Sequence, residues 1–487
     1  MTGVPKLKTL LISGLSALAL AGCGGGGGDS IASPGEGGFS GGGGGGGTGG
    51  GGGGTGGGAA ADCPAGFTNL GTVAGGTLRA CQLPQTILGN LLVPARQGTV
   101  YAISGRTDVG QDRGADPANP LPNTQSGTLT IEPGVRIFGS AGLDYINVQR
   151  GSQLIAEGTP TNPIVFTSRT DIEGTDGVDT IGQWGGIVLN GRAPINACPA
   201  GATPPSINCV ATFEGGVSLY GGNTPNDSSG RLRYVQVKYP GFEVQPNREL
   251  NGISFNGVGS GTVVDHVQVH NSSDDGMEMF GGTVNLRHIV LTGNDDDSLD
   301  TDNGYRGAIQ FLIIQQRANG GDRAFEMSSA GSAALHTAPK IANYTAIGTP
   351  RVGGGDVQVL NTGHGGRFMN GIHVSTRAGA ACLDVDDTST FANAPRWDSV
   401  VFSCPVSFNT DADDEAALFN AGTNNAATFT SSLSGFVNGA NENGRPVFNA
   451  SSVDPFFQNV SYIGAVRDAN DTWWQGWTCG LPGGASC

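Results

Sequence analysis

Shifted by 22 residues, one stretch of this chain lies on itself without a gap. His266 falls on His288, Val267 on Ile289 and Val269 on Leu291. Asp274 and Asp275 fall on Asp296 and Asp297, Met277 on Leu299, Glu278 on Asp300 and Gly282 on Gly304. Cys382 and Cys404 stand the same distance apart. The chain around this repeat is a series of short β-branched or apolar runs broken by Gly, Asn, Asp and Pro: "PIVFTSRT", "GGIVLNGRAPIN", "LRYVQVKYPG", "VVDHVQVHN", "LRHIVLTGN". That is an all-β pattern. A repeat of this length cannot bury its own apolar face, so it stacks on its neighbours. A leucine-rich repeat has a similar period, but its leucine–asparagine pattern is absent. The expected fold is therefore a parallel β-helix with about 22 residues per rung in the central part, strands about 4.8 Å apart.

Stacking turns a sequence repeat into an electrostatic problem. Val267, Val269, Met277, Ile289, Leu291 and Leu299 are expected in the core. Asp275, Glu278, Asp297 and Asp300 then lie at or beside the adjacent turn and strand, one rung above the other. Two such charges about 5 Å apart repel by roughly 3 kcal/mol at an effective dielectric of about 20, against a total stability of about 5–15 kcal/mol. Water and salt, an arginine, a bound proton or a cation must relieve it. Asp274, Asp275, Glu278, Asp296, Asp297, Asp300 and Asp302 are the candidate metal ligands, with Asn294 and Asn303 nearby. Calcium, which takes about six to eight hard oxygens, is the expected ion. "DTDNG" does not match an EF-hand loop. The competing reading is a solvated edge paired with Arg287, Arg306 or Arg323.

The N-terminus has a basic "MTGVPKLK", an apolar "TLLISGLSALALA" and then "LAGC". This looks like a lipoprotein signal peptide (residues 1–22) with Cys23 as the acylated residue; by resemblance to Gram-negative lipoproteins, Gly24 after it favours outer-membrane sorting. Residues 23–60 are mostly glycine, expected to be a flexible tether with a reach of roughly 35 Å. The remaining cysteines fall into close pairs: Cys63–Cys81, Cys198–Cys209, Cys382–Cys404 and Cys479–Cys487. In an exported protein these read as four local disulfides. The formal charge of −16 argues against nucleic acid or an anionic membrane surface as partner. The expected organisation is a disulfide-containing cap region at 61–125, the β-helix at 126–465, and a Trp-rich, disulfide-containing cap at 466–487. Trp473, Trp474 and Trp477 are expected to cover the open C-terminal end of the solenoid, and the stretch around Asp411 to Glu415 to be a surface loop. His266 and His288 read as stacked neighbours, a poor metal site without a third ligand.

"GTLTIEPGVRIFG", "QWGGIVLNGRAPIN", "ELNGISFNGVGSGTVVDHVQV", "SSDDGMEMFGGTVN" and "DDDSLDTDNGYRGAIQF" resemble a family of bacterial surface lipoproteins that includes leptospiral outer-membrane lipoproteins. The resemblance is strong over roughly residues 120–350. It implies a pectin-lyase-like, right-handed β-helix on the cell envelope and brings no established activity, since enzymes and adhesins share this scaffold. The leading functional expectation is a non-enzymatic surface protein, binding polysaccharide or another envelope component or serving the envelope's structure. The alternative is a calcium-dependent polysaccharide lyase or an acid/base glycoside hydrolase. Polygalacturonase-like enzymes on this fold use aspartates on neighbouring rungs and a Gly-His-Gly; Asp275, Asp297 and His364 are the corresponding candidates. His364 lies too far along the chain for that pattern and reads as a turn histidine.

Overall fold

The computed structural model describes residues 58–246, 248–409, 414–481 and 485–487. The signal segment, Cys23, nearly all of the glycine tether, and Asp411 within the expected loop lie outside the described residues. Among the described residues two long, almost wholly parallel sheets account for 16 and 11 strands. The chain is a right-handed parallel β-helix.

Each central coil supplies one long strand and one short one. The long strands Gly230–Lys238, Val263–His270, Asn285–Thr292, Ala308–Gln315, Lys340–Ile347 and Arg367–Val374 pair in succession. The short strands Ile253–Asn256, Met277–Phe280, Leu299–Asp302 and Phe325–Met327 do the same on another face. The register expected from the repeat is observed: Val267 pairs with Ile289, Val269 with Leu291, Met277 with Leu299 and Glu278 with Asp300. All six expected core residues are fully buried. Among the central coils the 22-residue spacing holds for this one step. The next long-strand pairing, Ile289 with Leu312, spans 23 residues, and the one after, Leu312 with Tyr344, spans 32, the excess going into turns.

The long strands are two ladders fused at a corner. In Gly230–Lys238, residues 230–233 pair with Leu154–Glu157 and residues 235–237 pair with Ile164–Phe166. Tyr234 sits between them at φ 48°, and His266, His288, Phe311, Asn343 and Asn370 repeat that left-handed conformation coil after coil. Asparagine tolerates it, but bulky rings pay for strain. The rings recover part of that by stacking: Tyr234 on His266 at 4.4 Å, His266 on His288 at 4.2 Å and His288 on Phe311 at 5.0 Å, each contact contributing about 0.5–1.5 kcal/mol.

Three expected boundaries change. Parallel stacking does not wait until residue 126: within 61–125, Leu78–Gln82 already pairs in parallel with Thr99–Ala102, and only Thr68–Val73 pairs antiparallel at the start. The tryptophans do not close the C-terminal end. The segment from about 430 onward runs back along the side of the β-helix, its carbonyls taking hydrogen bonds from outward-facing amides: Asn370 to Phe448 (3.0 Å), Asn343 to Tyr462 (2.9 Å), Gln310 to Gln458 (2.7 Å) and Gln268 to Cys479 (2.7 Å). Trp474 and Trp477 bury against Val290 and Ile313, and Trp473 lies 5.0 Å from the His288 ring. The end is closed instead by the stretch expected to be a surface loop. Asp414 caps the helix Glu415–Asn420 by accepting from Ala417 N–H (3.0 Å), and Phe419 stacks on Phe402 at 4.2 Å, fully buried.

All four expected disulfides are present: Cys63–Cys81, Cys198–Cys209, Cys382–Cys404 and Cys479–Cys487. The plug gives the first test. Phe419→Ala removes a ring packed against Trp397, Phe402 and Phe408 and should cost about 3–5 kcal/mol in urea unfolding. A loss below about 1 kcal/mol would mean that the helix does not close the stack.

Candidate functional site: a partly buried grid of carboxylates

Alternation along the short strands sends Met277, Leu299 and Phe325 into the core and Glu278, Asp300 and Glu326 to the outer face, each directly above the next. The preceding turns keep the register. Gly276 N–H donates to Asp297 O (2.9 Å), Ser298 N–H to Arg323 O (3.1 Å) and Asp322 N–H to Asp296 O (3.0 Å). Asp274, Asp296 and Asp322 therefore make a second column, and Asp275, Asp297 and Arg323 a third. Eight of the nine grid positions are carboxylates and the ninth is a guanidinium. A long excursion between the strands Ile187–Asn190 and Ile253–Asn256 adds Glu214 and Glu249. Together they enclose a cavity of about 320 Å³ lined by Glu214, Glu249, Asn251, Asp274, Asp275, Glu278, Asp296, Asp297, Asp300 and Glu326.

The inner part of the grid is not a solvated edge, although Asp296 at its rim is exposed. Asp297 is 1% exposed, and Asp275 and Glu278 are each 7% exposed. Some oxygens have partners: Asp275 accepts from Asp297 N–H (3.0 Å), Asp297 from Arg323 N–H (2.6 Å) and Glu278 from Asn251 Nδ2 (2.6 Å). Glu214 is hydrogen-bonded to Glu278 and Asp297 to Glu326, contacts that need a proton between the two carboxyls. Asp274 Oδ2 and Asp300 Oδ1 are buried with no partner. Burial, reinforced by the neighbouring carboxylates, pushes Asp274 up to about 8 and Glu214 up to about 7. Asp275, Glu278, Asp297 and Asp300 are raised well above the usual carboxylate range for the same reasons.

Of the three arginines expected nearby, one arrives. Arg323 Nη1 lies 2.8 Å from Asp322, 3.4 Å from Glu326 and 3.7 Å from Asp297. Arg287 instead donates to Phe456 O, with its guanidinium 4.4 Å from the Phe456 ring centre, and Arg306 donates to His336 O. Asp302 is not among the residues lining the cavity; its Oδ1 accepts from Ala330 N–H at 2.7 Å. Asn294 Oδ1 accepts from Ser272 N–H, and Asn303 Nδ2 donates to Tyr220 Oη.

His364 does not join Asp275 and Asp297. It is fully buried, its Nδ1 accepts from Gly366 N–H (3.2 Å), its ring stacks near Phe368, and burial pushes its pKa down to about 3. The three-residue constellation is therefore not assembled. His266 and His288 do stack, and both Nδ1 atoms lie within 2.9 Å of Asp265 Oδ1. Burial pushes the Asp265 carboxyl up, but hydrogen bonds from the two imidazoles outweigh it and hold it well below the usual range. Two rings stacked at an interplanar angle of 27° do not aim their in-plane lone pairs at one ion, so this trio serves the corner.

Asp322, Glu326, Glu214 and Glu249 were not identified from sequence. A signal for the first two was there: Asp274–Asp275–Gly–Met–Glu–Met and Asp296–Asp297–Ser–Leu–Asp–Thr are followed by Asp322–Arg323–Ala–Phe–Glu–Met. The third copy sits 26 residues on rather than 22, so a fixed shift misses it. Glu214 and Glu249 lie on the excursion and carry no repeat signal.

The donor set is hard oxygen throughout, and it can hold a metal ion. Asp274, Asp275 and Asp296, then Asp275, Glu278 and Asp300, then Asp296, Asp297 and Asp322 form overlapping trios whose ligand atoms lie within 4.8 Å of one another. Anionic oxygens, unpartnered lone pairs and no imidazole or thiol fit calcium better than a softer metal.

Residues 119–478 match the pectate-lyase-like β-helix domain family, and the chain belongs to it. Among solved structures, the crystal structure of pectate lyase Pel9A aligns over 76% of this chain and 88% of that one, at 11% identity and a TM-score of 0.29. That superposition is too loose to transfer any residue role. No curated protein matches the sequence.

The raised carboxyls have a signed consequence. Groups whose folded pKa lies above the unfolded value stabilise the fold fully only below the unfolded pKa, near 4, and lose that contribution as pH rises through the folded value. For Glu214 and Asp274 this window runs from about 4 up through about 7 and about 8. In chelator, the melting temperature should fall between pH 5 and pH 8 by about 5 °C, and millimolar calcium should restore it at pH 8. A flat profile in chelator would show that the grid is not repulsive. Asp300→Asn removes a carboxyl whose Oδ1 has no partner. It should raise the melting temperature in chelator at pH 8 and weaken the calcium-induced rise about tenfold in calcium concentration; an unchanged calcium response would remove Asp300 from the ion site.

Proposed function

We propose that the protein is an outer-membrane-anchored lipoprotein that binds an acidic polysaccharide of the envelope or its surroundings through calcium in the carboxylate cavity, and does not cleave it. Anchorage rests on the N-terminal sequence, with Cys23 acylated and the glycine tether holding the β-helix off the membrane. The observation that carries the rest is the lining of the cavity: nine carboxylates and Asn251, with no lysine, arginine or histidine among the described lining residues. Asp274, Asp275, Glu278, Asp296, Asp297 and Asp300 would hold the ion. Its positive charge would offset the grid's repulsion and offer open coordination to an anionic sugar.

A β-elimination would need a base to take the proton. The nearby cation, Arg323, is a poor one: burial lowers its pKa, but the charges of Asp297, Glu326 and Asp322 outweigh that and raise it further. The hydrolase reading has one observation in its favour, the proton-holding carboxyls of Glu214 and Asp274, placed near neutrality where a general acid works.

One assay separates these readings. Residues 58–487 are incubated with polygalacturonate, alginate and neutral glucans, with calcium or with chelator, and scored for retained polymer, reducing ends and unsaturated products. Calcium-dependent retention of an acidic polymer without new ends is the expected result. Unsaturated products that vanish in Asp275→Asn or Asp297→Asn would make the grid an active site and overturn the binding role.

A further inference from the structure

A second cavity, of about 470 Å³, opens on the other side of the same turns. Its floor is the column that ends the long strands: Tyr239, His270, Asn271, Thr292, Gln315 and Arg317. The loop after the short helix Arg169–Glu173, through Asp176 and Val178, forms one lip, and Gly480, Ser486 and Cys487 form the other. The volume is within the roughly 300–1,000 Å³ of ligand pockets.

Three features mark it as built rather than left over. Tyr239 and Asn271 occupy successive coils at one corner, at φ 58° and 54°. Asparagine commonly fills this conformation, whereas a tyrosine there is strained and needs a reason. The lip is tied down: Asn271 Nδ2 donates to both Val178 O and Thr180 O at 3.1 Å, and Asn319 donates to Asp179 at 2.8 Å. Even so, Val178 stands 90% exposed at the mouth. Finally, the lining carries buried polar atoms of both kinds without partners: the acceptors Asp176 Oδ1 and Gln315 Oε1, and the donors Arg317 Nε and Nη1. Leaving such atoms unpaired is unfavourable, and a ligand that pairs them removes that cost.

The cations here are already matched: Arg317 pairs with Asp295 at 3.0 Å and Lys238 with Asp171 at 2.8 Å. Asp176 accepts from Ser168 Oγ at 3.1 Å and keeps its other oxygen free for a hydroxyl donor. A ligand recognised by this cavity therefore needs no negative charge. It needs groups that both give and accept hydrogen bonds, on a body with an apolar face. Hydroxyls on a pyranose ring meet both demands: they donate to Gln315 and Asp176, accept from Arg317, and leave C–H faces for Val178 and the glycine backbone of the wall. We propose that this cavity is a binding site for a neutral saccharide unit, independent of the ion in the carboxylate grid.

The test uses the full chain, in detergent, titrated with glucose, galactose, mannose, maltose and cellobiose in calcium and in chelator, read by ligand-observed NMR and calorimetry. The expected result is saturable binding of at least one of these sugars, equal in calcium and chelator. That equality separates it from the acidic-polymer site, whose binding should vanish with calcium. Val178→Trp fills the mouth from an exposed position and Gln315→Met removes an acceptor at nearly constant volume; each should weaken binding at least tenfold with an unchanged melting temperature. No saturable binding across the panel, or binding untouched by both variants, overturns the proposal, whatever the outcome with acidic polymers.

Discussion

The register between coils governs everything else in this molecule. In a parallel β-helix a residue has little choice of neighbour: what precedes it by one coil lies beneath it, about 4.8 Å away. For apolar residues this is favourable, and Val267, Ile289 and Leu312 form a continuous buried column. For charged residues the same rule brings like charges together. Antiparallel designs escape by alternating sign across a hairpin; a solenoid that repeats its sequence repeats its sign. The grid of Asp274, Asp275 and Glu278 over Asp296, Asp297 and Asp300 is the direct outcome, and it persists because each backbone is held by its ladder whatever the side chains do.

That rigidity also accounts for the corner and the segment laid over it. A column of left-handed residues forces outward-facing rings into one stack, Tyr234 to Phe311, and stacked rings leave an apolar ridge on the outside of the barrel. The chain covers this ridge with its own C-terminal segment. Trp473 and Trp477 lie against the two imidazoles, and outward amides such as Gln268 and Gln310 hold the segment's carbonyls. A solenoid has two kinds of vulnerable surface, its ends and its exposed sheet faces. The tryptophans protect a face, and Phe419 protects an end.

What could be read from sequence follows from the same geometry. Wherever neighbouring coils had equal length, a fixed shift recovered true neighbours: the pairing of Val267 with Ile289, the six core residues and the stacking of Asp275 under Asp297 all came from counting. The local cysteine pairs were legible because each bridge spans at most 22 residues. The third row of the grid was hidden by four extra residues in a turn, although Asp322–Arg323–Ala–Phe–Glu–Met repeats the pattern plainly. Glu214 and Glu249 were beyond reach, because an excursion returns to the site by tertiary folding and not by period. The tryptophans read as a cover but for the wrong surface, and the stretch that carries Phe419 read as a surface loop, whereas Phe419 is buried against Phe402. Which surface each covers depends on the direction of the chain after the last strand, and no periodic signal encodes that. His364 was set aside on coil distance, and its burial against Phe368 agrees.

The position of Arg323 shows how the grid is balanced. It occupies the place where a third aspartate would continue the column of Asp275 and Asp297, and it touches Asp322, Glu326 and Asp297, all on its own or the adjacent coil. Its charge therefore neutralises one edge and leaves Asp274, Asp275, Glu278 and Asp300 without a counterion. Asp275 and Asp297 each accept from a backbone N–H of the next coil, at 3.0 and 2.6 Å, a role that a second arginine could not fill. The arrangement present keeps open space at the centre of the charge, where two buried oxygens lack partners. Burial first, and the neighbouring carboxylates second, make Asp274 and Glu214 hold their protons to about 8 and about 7. A divalent ion bound as proposed would compete with protons for the same lone pairs, so its occupancy would rise with pH over the range in which the empty grid becomes least stable.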